Sequence, residues 1–360
     1  MYDFTNLVDS IHQSLLSSMS PGMASFVEWL IIGAIFLGFF ALLGLVLVLA
    51  ERKVCAFFQL RLGPNRVGPW GLAQTTADTL KLLLKEPIMT RGADGFLFNF
   101  APFIIIITSL IALSLTPFAK GLLAFDINIG VFFIIAISSI GVVGILLAGW
   151  ASNNKYSLIG AMRSGAQVVS YELSVGLAIL TIVLMSGSLQ ISTIIEHQAD
   201  GWFIFKGHIP AFIAFVLFLI SATAEVNRGP FDLAEAESEL TAGFHTEYTG
   251  MKFAFFFLAE FVNMFIVSVV AATIFLGGWM PFHIGNLAGF NQVMDYIPPI
   301  FWFFGKVSFI IFIMMWFKWT FPRLRIDQLL TLEWKYLLPL NLMNLVFMAF
   351  MIYMGWYFGN

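Results

Sequence analysis

Long apolar stretches dominate the chain, and their hydrophobic residues run continuously rather than in alternation. About eight stretches approach the ~20 residues that an α-helix needs to cross a bilayer. They lie near residues 26–50, 96–116, 130–150, 165–186, 210–226, 252–276, 297–317 and 336–357. The short alternating segments of a transmembrane β-barrel are not seen. The pattern predicts an all-α integral membrane protein, with a single polytopic membrane domain over residues 1–360 and structured cytoplasmic loops at 51–95 and 227–251.

Composition supports this class and narrows the chemistry. The chain is 59% hydrophobic and 11% charged, whereas a soluble domain carries about a quarter charged residues. No basic patch stands clear of the apolar segments, so nucleic acid is not an expected partner. The single cysteine, Cys55, excludes an internal disulfide, and the five histidines are scattered. We therefore expect no metal site and no redox centre in this chain.

The basic residues predict an orientation. The odd-numbered loops hold 15 Lys and Arg and the even-numbered loops only two, while the N-terminal tail has none. Because positive residues favour the cytoplasmic side, the odd loops are predicted to be cytoplasmic. Both termini would then lie on the outer face of the inner (cytoplasmic) membrane.

Three glutamates fall within the apolar spans: Glu172, Glu225 and Glu260. A carboxylate in hydrocarbon is costly and commonly marks an ion or proton path. With the predicted topology, Glu172 and Glu260 lie about eight residues into their helices from the cytoplasmic side, roughly 12 Å deep. Glu225 lies nearer the end of its helix, and Lys306 approaches from a fourth. The four residues predict a path for protons or cations through the inner leaflet.

Structural roles for these residues stay open at this point. Glu225 could extend to the interface, Glu260 could form an interhelical hydrogen bond, and Glu172 could bond a hydroxyl. Lys306 could be a counter-ion to one of the glutamates or a proton relay.

The first long loop predicts a turn and then a surface helix. Residues 61–69 are dense in Gly and Pro and must turn tightly. Five positions then recur at helical spacing: Leu72, Thr76, Leu80, Leu83 and Leu84. Asp78, Lys81 and Lys85 share another face, so the segment predicts an amphipathic interfacial helix of about four turns, ended by Pro87. It is either a membrane anchor or one wall of an entry for a lipid-soluble substrate.

The third cytoplasmic loop is acidic. Pro230 stops the incoming helix, and Asp232 with Glu235 fits a capping box. Capping does not account for Glu237 and Glu239, and Glu235 and Glu239 repel one another at i, i+4. Clustered carboxylates titrate as a group, which suits proton storage and transfer. A solvated acidic face is the alternative.

Several of these motifs together closely resemble one membrane-subunit family, the quinone-site H-subunits of the proton-pumping NADH:quinone oxidoreductase, respiratory complex I. The likeness covers nearly the whole chain, and the two long loop motifs are highly specific. Matching segments are residues 51–53, 59–69, 77–78, 81–82, 85–87, 149–156, 170–172, 224–240, 247–248, 259–260 and 322–328.

The resemblance implies a subunit that joins the peripheral redox arm to the membrane arm and forms, with soluble subunits, a chamber for ubiquinone or menaquinone. Electrons would reach the quinone from iron–sulfur clusters and FMN on partner subunits, with no cofactor bound by this chain. The implied quinone-site residues are Glu51, Arg52, Arg61, Asp78, Glu225, Arg228 and Asp232. The implied proton path comprises Glu172, Glu225, Glu235, Glu237, Glu239, Glu247 and Glu260.

The expected partners are the iron–sulfur and quinone-site subunits of the peripheral arm, small and antiporter-like membrane subunits, and lipid. In the resulting hypothesis, quinone reduction changes the charge near Asp78 and the acidic loop and shifts the proton affinity of Glu225. Protons or strain then pass through Glu172 and Glu260. Two alternatives stay open: the membrane subunit of an energy-converting hydrogenase, and a stand-alone proton or cation transporter.

Overall fold

Helices form almost all of the regular structure. The computed structural model describes residues 5–234, 241–283 and 287–356, and this part of the chain contains no β-strand. The first six helices are α1 Thr5–Ser18, α2 Pro21–Phe58, α3 Gln74–Leu84, α4 Gly95–Ser114, α5 Gly130–Ala151 and α6 Lys155–Ser186. The remaining helices are α7 Ile191–Glu196, α8 Phe203–Lys206, α9 His208–Glu225, α10 Gly250–Phe275, α11 Ala288–Asp295, α12 Pro299–Thr320 and α13 Ile326–Tyr353.

Eight of these helices are long and apolar enough to cross a membrane: α2, α4, α5, α6, α9, α10, α12 and α13. They coincide with the eight predicted stretches, which confirms the all-α membrane fold. The orientation relative to the two sides of the membrane stays a prediction.

Three spans begin or end well away from the predicted positions, and one of them, α13, begins at Ile326 rather than near residue 336. α2 continues past Ala50 to Phe58, because Glu51, Arg52 and Lys53 are good helix formers although they end the apolar run. α6 begins at Lys155, where the side chain of Asn154 accepts a hydrogen bond from the Tyr156 amide at 2.9 Å. Glu172 therefore lies in the middle of α6, and its predicted position about eight residues from the helix start is wrong.

The surface helix of the first loop is shorter than expected. α3 has three turns, and a 3₁₀ turn at Pro69–Gly71 precedes it. The chain leaves the helix at Lys85, which is extended, and Pro87 shortly afterwards cannot continue a helix. α3 contacts α2 and α10, while Leu80 and Leu84 are exposed. Its location at the membrane surface stays a prediction.

The core of the bundle is formed by α6, which packs along α5 and α9, and by α10, which packs along α4 and α12. Close approach of α6 to the third loop depends on Gly160. A Cβ atom at Gly160 would lie 2.8 Å from the Cα of Gly243, so a larger residue would push the loop away. This contact fixes the 3₁₀ turn Gly243–His245 against α6.

Lys306 does not approach the glutamates, so that expectation is wrong. Its Nζ donates hydrogen bonds to the carbonyls of Leu276 (2.6 Å), Gly278 (3.0 Å) and Met280 (2.5 Å), just beyond the end of α10. Glu260 lies 16 residues before Leu276, about 24 Å away along the helix. Lys306 thus satisfies orphan carbonyls at a helix end rather than neutralising a carboxylate.

Replacing Lys306 with methionine should destabilise the protein, because three carbonyls would lose their donor. Each stranded buried carbonyl costs about 1–3 kcal/mol. The midpoint of thermal denaturation of the purified assembly should fall in Lys306→Met and stay unchanged in Lys120→Met, since Lys120 is exposed. Equal midpoints for both variants would show that these hydrogen bonds do not stabilise the fold.

Candidate functional site

A buried arginine connects three spans. Arg228 is only 4% exposed, and its Nη1 donates to Oε2 of Glu51 at 2.6 Å. Its Nε lies 2.8 Å from Oε1 of Glu260 on α10. The second oxygen of Glu51 accepts a hydrogen bond from Nζ of Lys318, on α12, at 2.5 Å. We call Glu51, Arg228, Glu260 and Lys318 the charged network.

Local backbone geometry turns Arg228 back toward the bundle. Asn227 adopts a left-handed conformation directly after α9, and the Arg228 amide then bonds the Thr223 carbonyl at 3.2 Å. The guanidinium faces the ring of Phe261, 4.1 Å from its centroid, a cation–π contact. An arginine this deeply buried needs carboxylate partners, and both Glu51 and Glu260 serve that purpose.

Glu172 and Glu225 form a second group, bound by adjacent serines of α5. The hydroxyl of Ser139 donates to a carboxylate oxygen of Glu172, and the hydroxyl of Ser138 hydrogen-bonds Glu225. The two carboxyl groups also interact electrostatically. Glu172 therefore does accept a hydrogen bond from a hydroxyl, as one of the alternatives predicted, although that hydroxyl lies on another helix.

A cavity of about 90 Å³ lies between α4, α5, α10 and the third loop. Its polar lining comprises Thr108, Ser109, Ser138, Glu225, Asn227, His245, Glu260 and Asn263. The volume exceeds the 10–15 Å³ or so that one water requires, and the polar side chains supply partners for several. Glu260 thus belongs both to the charged network and to the cavity that Glu225 faces.

His245 lines this cavity from the 3₁₀ turn. Its ring packs edge-on against Phe244 and Phe253, with centroids 4.9 and 5.2 Å away. Burial lowers the pKa of His245 to about 4, so the imidazole is neutral near pH 7. The scattered histidines gave no sequence signal for this position, because its neighbours in the cavity come from distant parts of the chain.

Glu247 lies outside the cavity, in a second polar pocket of about 320 Å³. Its Oε1 accepts a hydrogen bond from Nδ2 of Asn154 at 2.7 Å. The rest of the lining comes from Thr90, Gly92 and the segment 152–156, which includes the first two residues of α6. Glu247 and His245 are two residues apart, so one short loop contributes to both spaces.

Two of the residues predicted for the quinone site, Arg52 and Asp78, form a separate pair. Nη1 of Arg52 donates to Asp78 at 2.5 Å, and Gln74 donates to the other oxygen at 3.0 Å. Partial burial of Asp78 opposes ionisation, but these hydrogen bonds and the Arg52 charge outweigh it and hold the pKa of the carboxyl below its ordinary value. Arg61 instead contacts Gln59 and Cys55 and does not join either group.

Asp232 lies beside the charged network, and its carboxyl interacts electrostatically with Glu260. Its backbone carbonyl accepts a hydrogen bond from Arg323. Glu235, Glu237 and Glu239, with the capping box predicted for Asp232 and Glu235, lie outside the described residues. Within the described ranges, no three His, Cys, Asp or Glu side chains are grouped as metal ligands.

Comparison with known families identifies the group to which the chain is related. The family model described as NADH dehydrogenase matches residues 31–349. The chain belongs to the NADH dehydrogenase family. This confirms the resemblance predicted from the loop motifs.

Relatives of the same family match over most of their length. The NADH-quinone oxidoreductase H-subunit of Bacteroides fragilis is 62% identical over 358 residues, which cover 99% of this chain and 100% of the relative. The H-subunit of Bacteroides thetaiotaomicron is 61% identical over the same coverage. NADH-quinone oxidoreductase subunit 8 of Rhodothermus marinus is 49% identical over 84% of this chain and 91% of the relative. These homologues indicate an H-subunit of complex I.

Sequence reasoning missed another buried carboxylic acid in this family member. Glu333 is completely buried, and the Ser174 hydroxyl donates to one of its oxygens. It lies in a π-helical turn, Leu332–Leu337, near the start of α13. The apolar pattern predicts that the last span begins only near residue 336, which leaves Glu333 in a loop. Lys318 was missed for the same reason, since α12 continues beyond the predicted end of its span.

Removing Arg228 should strand the charge of Glu260, because Lys318 contacts Glu51 and leaves Glu260 without its close cation. Breaking a buried ion pair in this way costs about 3–5 kcal/mol. Arg228→Met should lower the thermal midpoint of the assembly, and the added change Glu260→Gln should recover part of the loss. If the decrease in thermal midpoint of the double variant equals the sum of the decreases in the two single variants, Arg228 and Glu260 are energetically independent.

Proposed function

We propose that this chain forms the membrane wall of a quinone site and couples quinone reduction to proton translocation in a complex I. The observation that carries the proposal is that Glu260 takes part in both groups. It contacts Arg228 in the charged network, and it also lines the cavity that Glu225 faces. Quinone is the substrate, and electrons come from iron–sulfur clusters and FMN on partner subunits. This chain contributes charge and proton-carrying groups to a translocase.

The quinone side of the proposal comprises Glu51, Arg52, Arg61, Asp78, Glu225, Arg228 and Asp232. Reduction of a quinone to quinol consumes two electrons and two protons. A proton taken from nearby carboxyls, or a charge that develops on the quinone, changes the electrostatic balance around Glu51 and Arg228. Because Arg228 contacts both Glu51 and Glu260, such a change reaches the cavity through a single guanidinium.

The proton side runs from Glu260 to Glu225 and then to Glu172. Water in the polar cavity would bridge Glu260 and Glu225, and the hydroxyls of Ser138 and Ser139 contact Glu225 and Glu172 in turn. We place Glu247 and the acidic loop residues Glu235, Glu237 and Glu239 at the start of this path. Small and antiporter-like membrane subunits would receive the protons or the strain.

The surroundings of the chain follow from this role. The proposal places it as one polytopic domain over residues 1–360 in the inner membrane, with both termini outside. The loops at 51–95 and 227–251 would face the peripheral-arm subunits. Exposed apolar side chains on α2 and α13, such as Trp29, Leu42 and Val346, would contact lipid or neighbouring membrane subunits.

Glu225→Gln should uncouple the enzyme, because glutamine keeps the shape but cannot carry a proton. In membrane vesicles, quinone-linked proton pumping should fall by at least about tenfold, since a positioned proton-transfer group typically contributes about 10²–10⁴-fold. Oxidation of NADH by an artificial acceptor should stay unchanged. Glu196→Gln is the matched control, because Glu196 is exposed on α7.

Normal coupled pumping in Glu225→Gln would refute the proton path. The partners that co-purify in mild detergent test the rest of the proposal. Iron–sulfur and flavin subunits with NADH:quinone activity support it. A nickel–iron hydrogenase would identify the electron donor as hydrogen, and a chain that purifies alone would favour a transporter.

Asp78→Asn tests the quinone side. Loss of the charged pair with Arg52 should change the apparent KM for quinone by about tenfold, since a charge-assisted hydrogen bond contributes about 1.5–3 kcal/mol. Steady-state kinetics with a soluble quinone measure this, and Asp200→Asn is the control because its side chain is 93% exposed. Unchanged quinone kinetics in Asp78→Asn would remove this residue from the site.

A further inference from the structure

The short loop between the polar pocket and the cavity is held rigidly against α6. Gly243 rests on Gly160, and the hydroxyl of Ser157 donates to the Phe244 carbonyl at 2.8 Å. The Tyr248 amide bonds the His245 carbonyl at 3.0 Å, which closes the turn. Backbone contacts therefore hold the loop that carries His245 and Glu247 against α6.

The two polar spaces are separated by apolar surroundings. Tyr248 stacks on Phe98 at 4.1 Å and lies 4.8 Å from Phe256, in the same buried cluster as Phe244. Glu247 lines the pocket, whereas His245 lines the cavity. Among the residues of this loop that the structure describes, His245 is the one with an ionisable side chain that lines the cavity with Glu225 and Glu260.

We propose that His245 is a proton-relay residue that transfers protons between the polar pocket at Glu247 and the cavity that contains Glu225 and Glu260. The inference rests on the function proposed above and adds an entry route to it. Protons would come from water in the pocket, in addition to any exchanged through the quinone site.

The chemistry requires a group that accepts a proton at one atom and releases one from another. Neutral imidazole does this, because one ring nitrogen accepts while the other donates. A proton that arrives at the first nitrogen displaces the proton on the second toward a carboxylate or water in the cavity. The ring ends neutral in its other tautomer, and a 180° flip of the imidazole restores the starting arrangement for the next proton. The low pKa of His245 agrees with a ring that transfers protons without storing charge.

The charged groups around His245 fit this assignment. Glu260 on α10 and Glu225 on α9 face the same cavity, and Glu247 follows two residues later in the loop. Lys252, at the start of α10, directs its Nζ at the Phe98 ring, 5.0 Å from the centroid. Each of the two polar spaces that this loop lines therefore contains a carboxylate that can exchange a proton.

The alternative is that His245 serves only as an aromatic packing residue between Phe244 and Phe253. Three variants separate the two roles. His245→Phe keeps an aromatic ring of similar size but cannot carry a proton. His245→Gln keeps hydrogen bonding without relay. His245→Ala leaves a space that free imidazole can enter.

The experiment measures proton pumping and quinone reduction in vesicles with the intact complex. NADH oxidation by an artificial acceptor gives the amount of assembled enzyme. We expect the coupled rate per assembled enzyme to fall about tenfold or more in His245→Phe, His245→Gln and His245→Ala. Added imidazole should partly restore the coupled rate of His245→Ala and leave the coupled rate of His245→Phe unchanged. His197→Ala is the control, since His197 is exposed and bonds the Ser186 carbonyl.

Normal pumping in assembled His245→Phe or His245→Gln would overturn the relay. So would a loss in His245→Ala that imidazole does not reverse, or failure of all three variants to assemble, since each would assign a packing role. Glu225→Gln separates this inference from the proposed function. If proton pumping is lost in Glu225→Gln but normal in His245→Phe, the relay alone is overturned. If pumping is normal in Glu225→Gln, the proton path itself is overturned.

Discussion

The structure depends on one buried guanidinium that must be neutralised. Arg228 lies among α2, α9 and α10, where an unpaired charge would cost several kcal/mol. Its contacts with Glu51 and Glu260 satisfy that requirement, and Lys318 supplies the second positive charge by donating to the other oxygen of Glu51. Three spans are thereby fixed relative to one another. The same constraint makes Glu260 sensitive to any change of charge at Glu51.

Glu260 is also exposed to a small polar cavity, and this combination gives the arrangement its functional meaning. A carboxyl that faces only the network would be a structural ion-pair partner, and one that faces only the cavity would be an isolated proton site. Glu260 is both, and in the proposed function this is how an electrostatic change on the quinone side would cause proton movement toward Glu225. Beyond Glu225, the adjacent hydroxyls of Ser138 and Ser139 contact Glu225 and Glu172 in turn, so uncharged side chains lie beside both carboxyls.

Hydropathy alone predicted the eight spans and the unusual placement of Glu172, Glu225 and Glu260, because the membrane imposes length and polarity on each helix separately. It could not predict which helix faces another. Lys306 was therefore placed with the glutamates, although its Nζ bonds carbonyls at the far end of α10. His245, Ser138 and Ser139 were missed because single polar residues carry no periodic signal. Glu333 and Lys318 were missed because helices continue beyond their apolar cores. The loop motifs predicted the family but not the pairing of Arg228.

The central claim is that Glu260 changes its protonation when quinone is reduced. Redox-induced infrared difference spectroscopy of the intact complex measures this directly, since carboxyl and carboxylate groups absorb at separate frequencies. The account predicts a carboxyl signal on quinone reduction that is lost in Glu260→Gln and retained in Glu196→Gln. An unchanged carboxyl spectrum in a Glu260→Gln complex that still reduces quinone would contradict it.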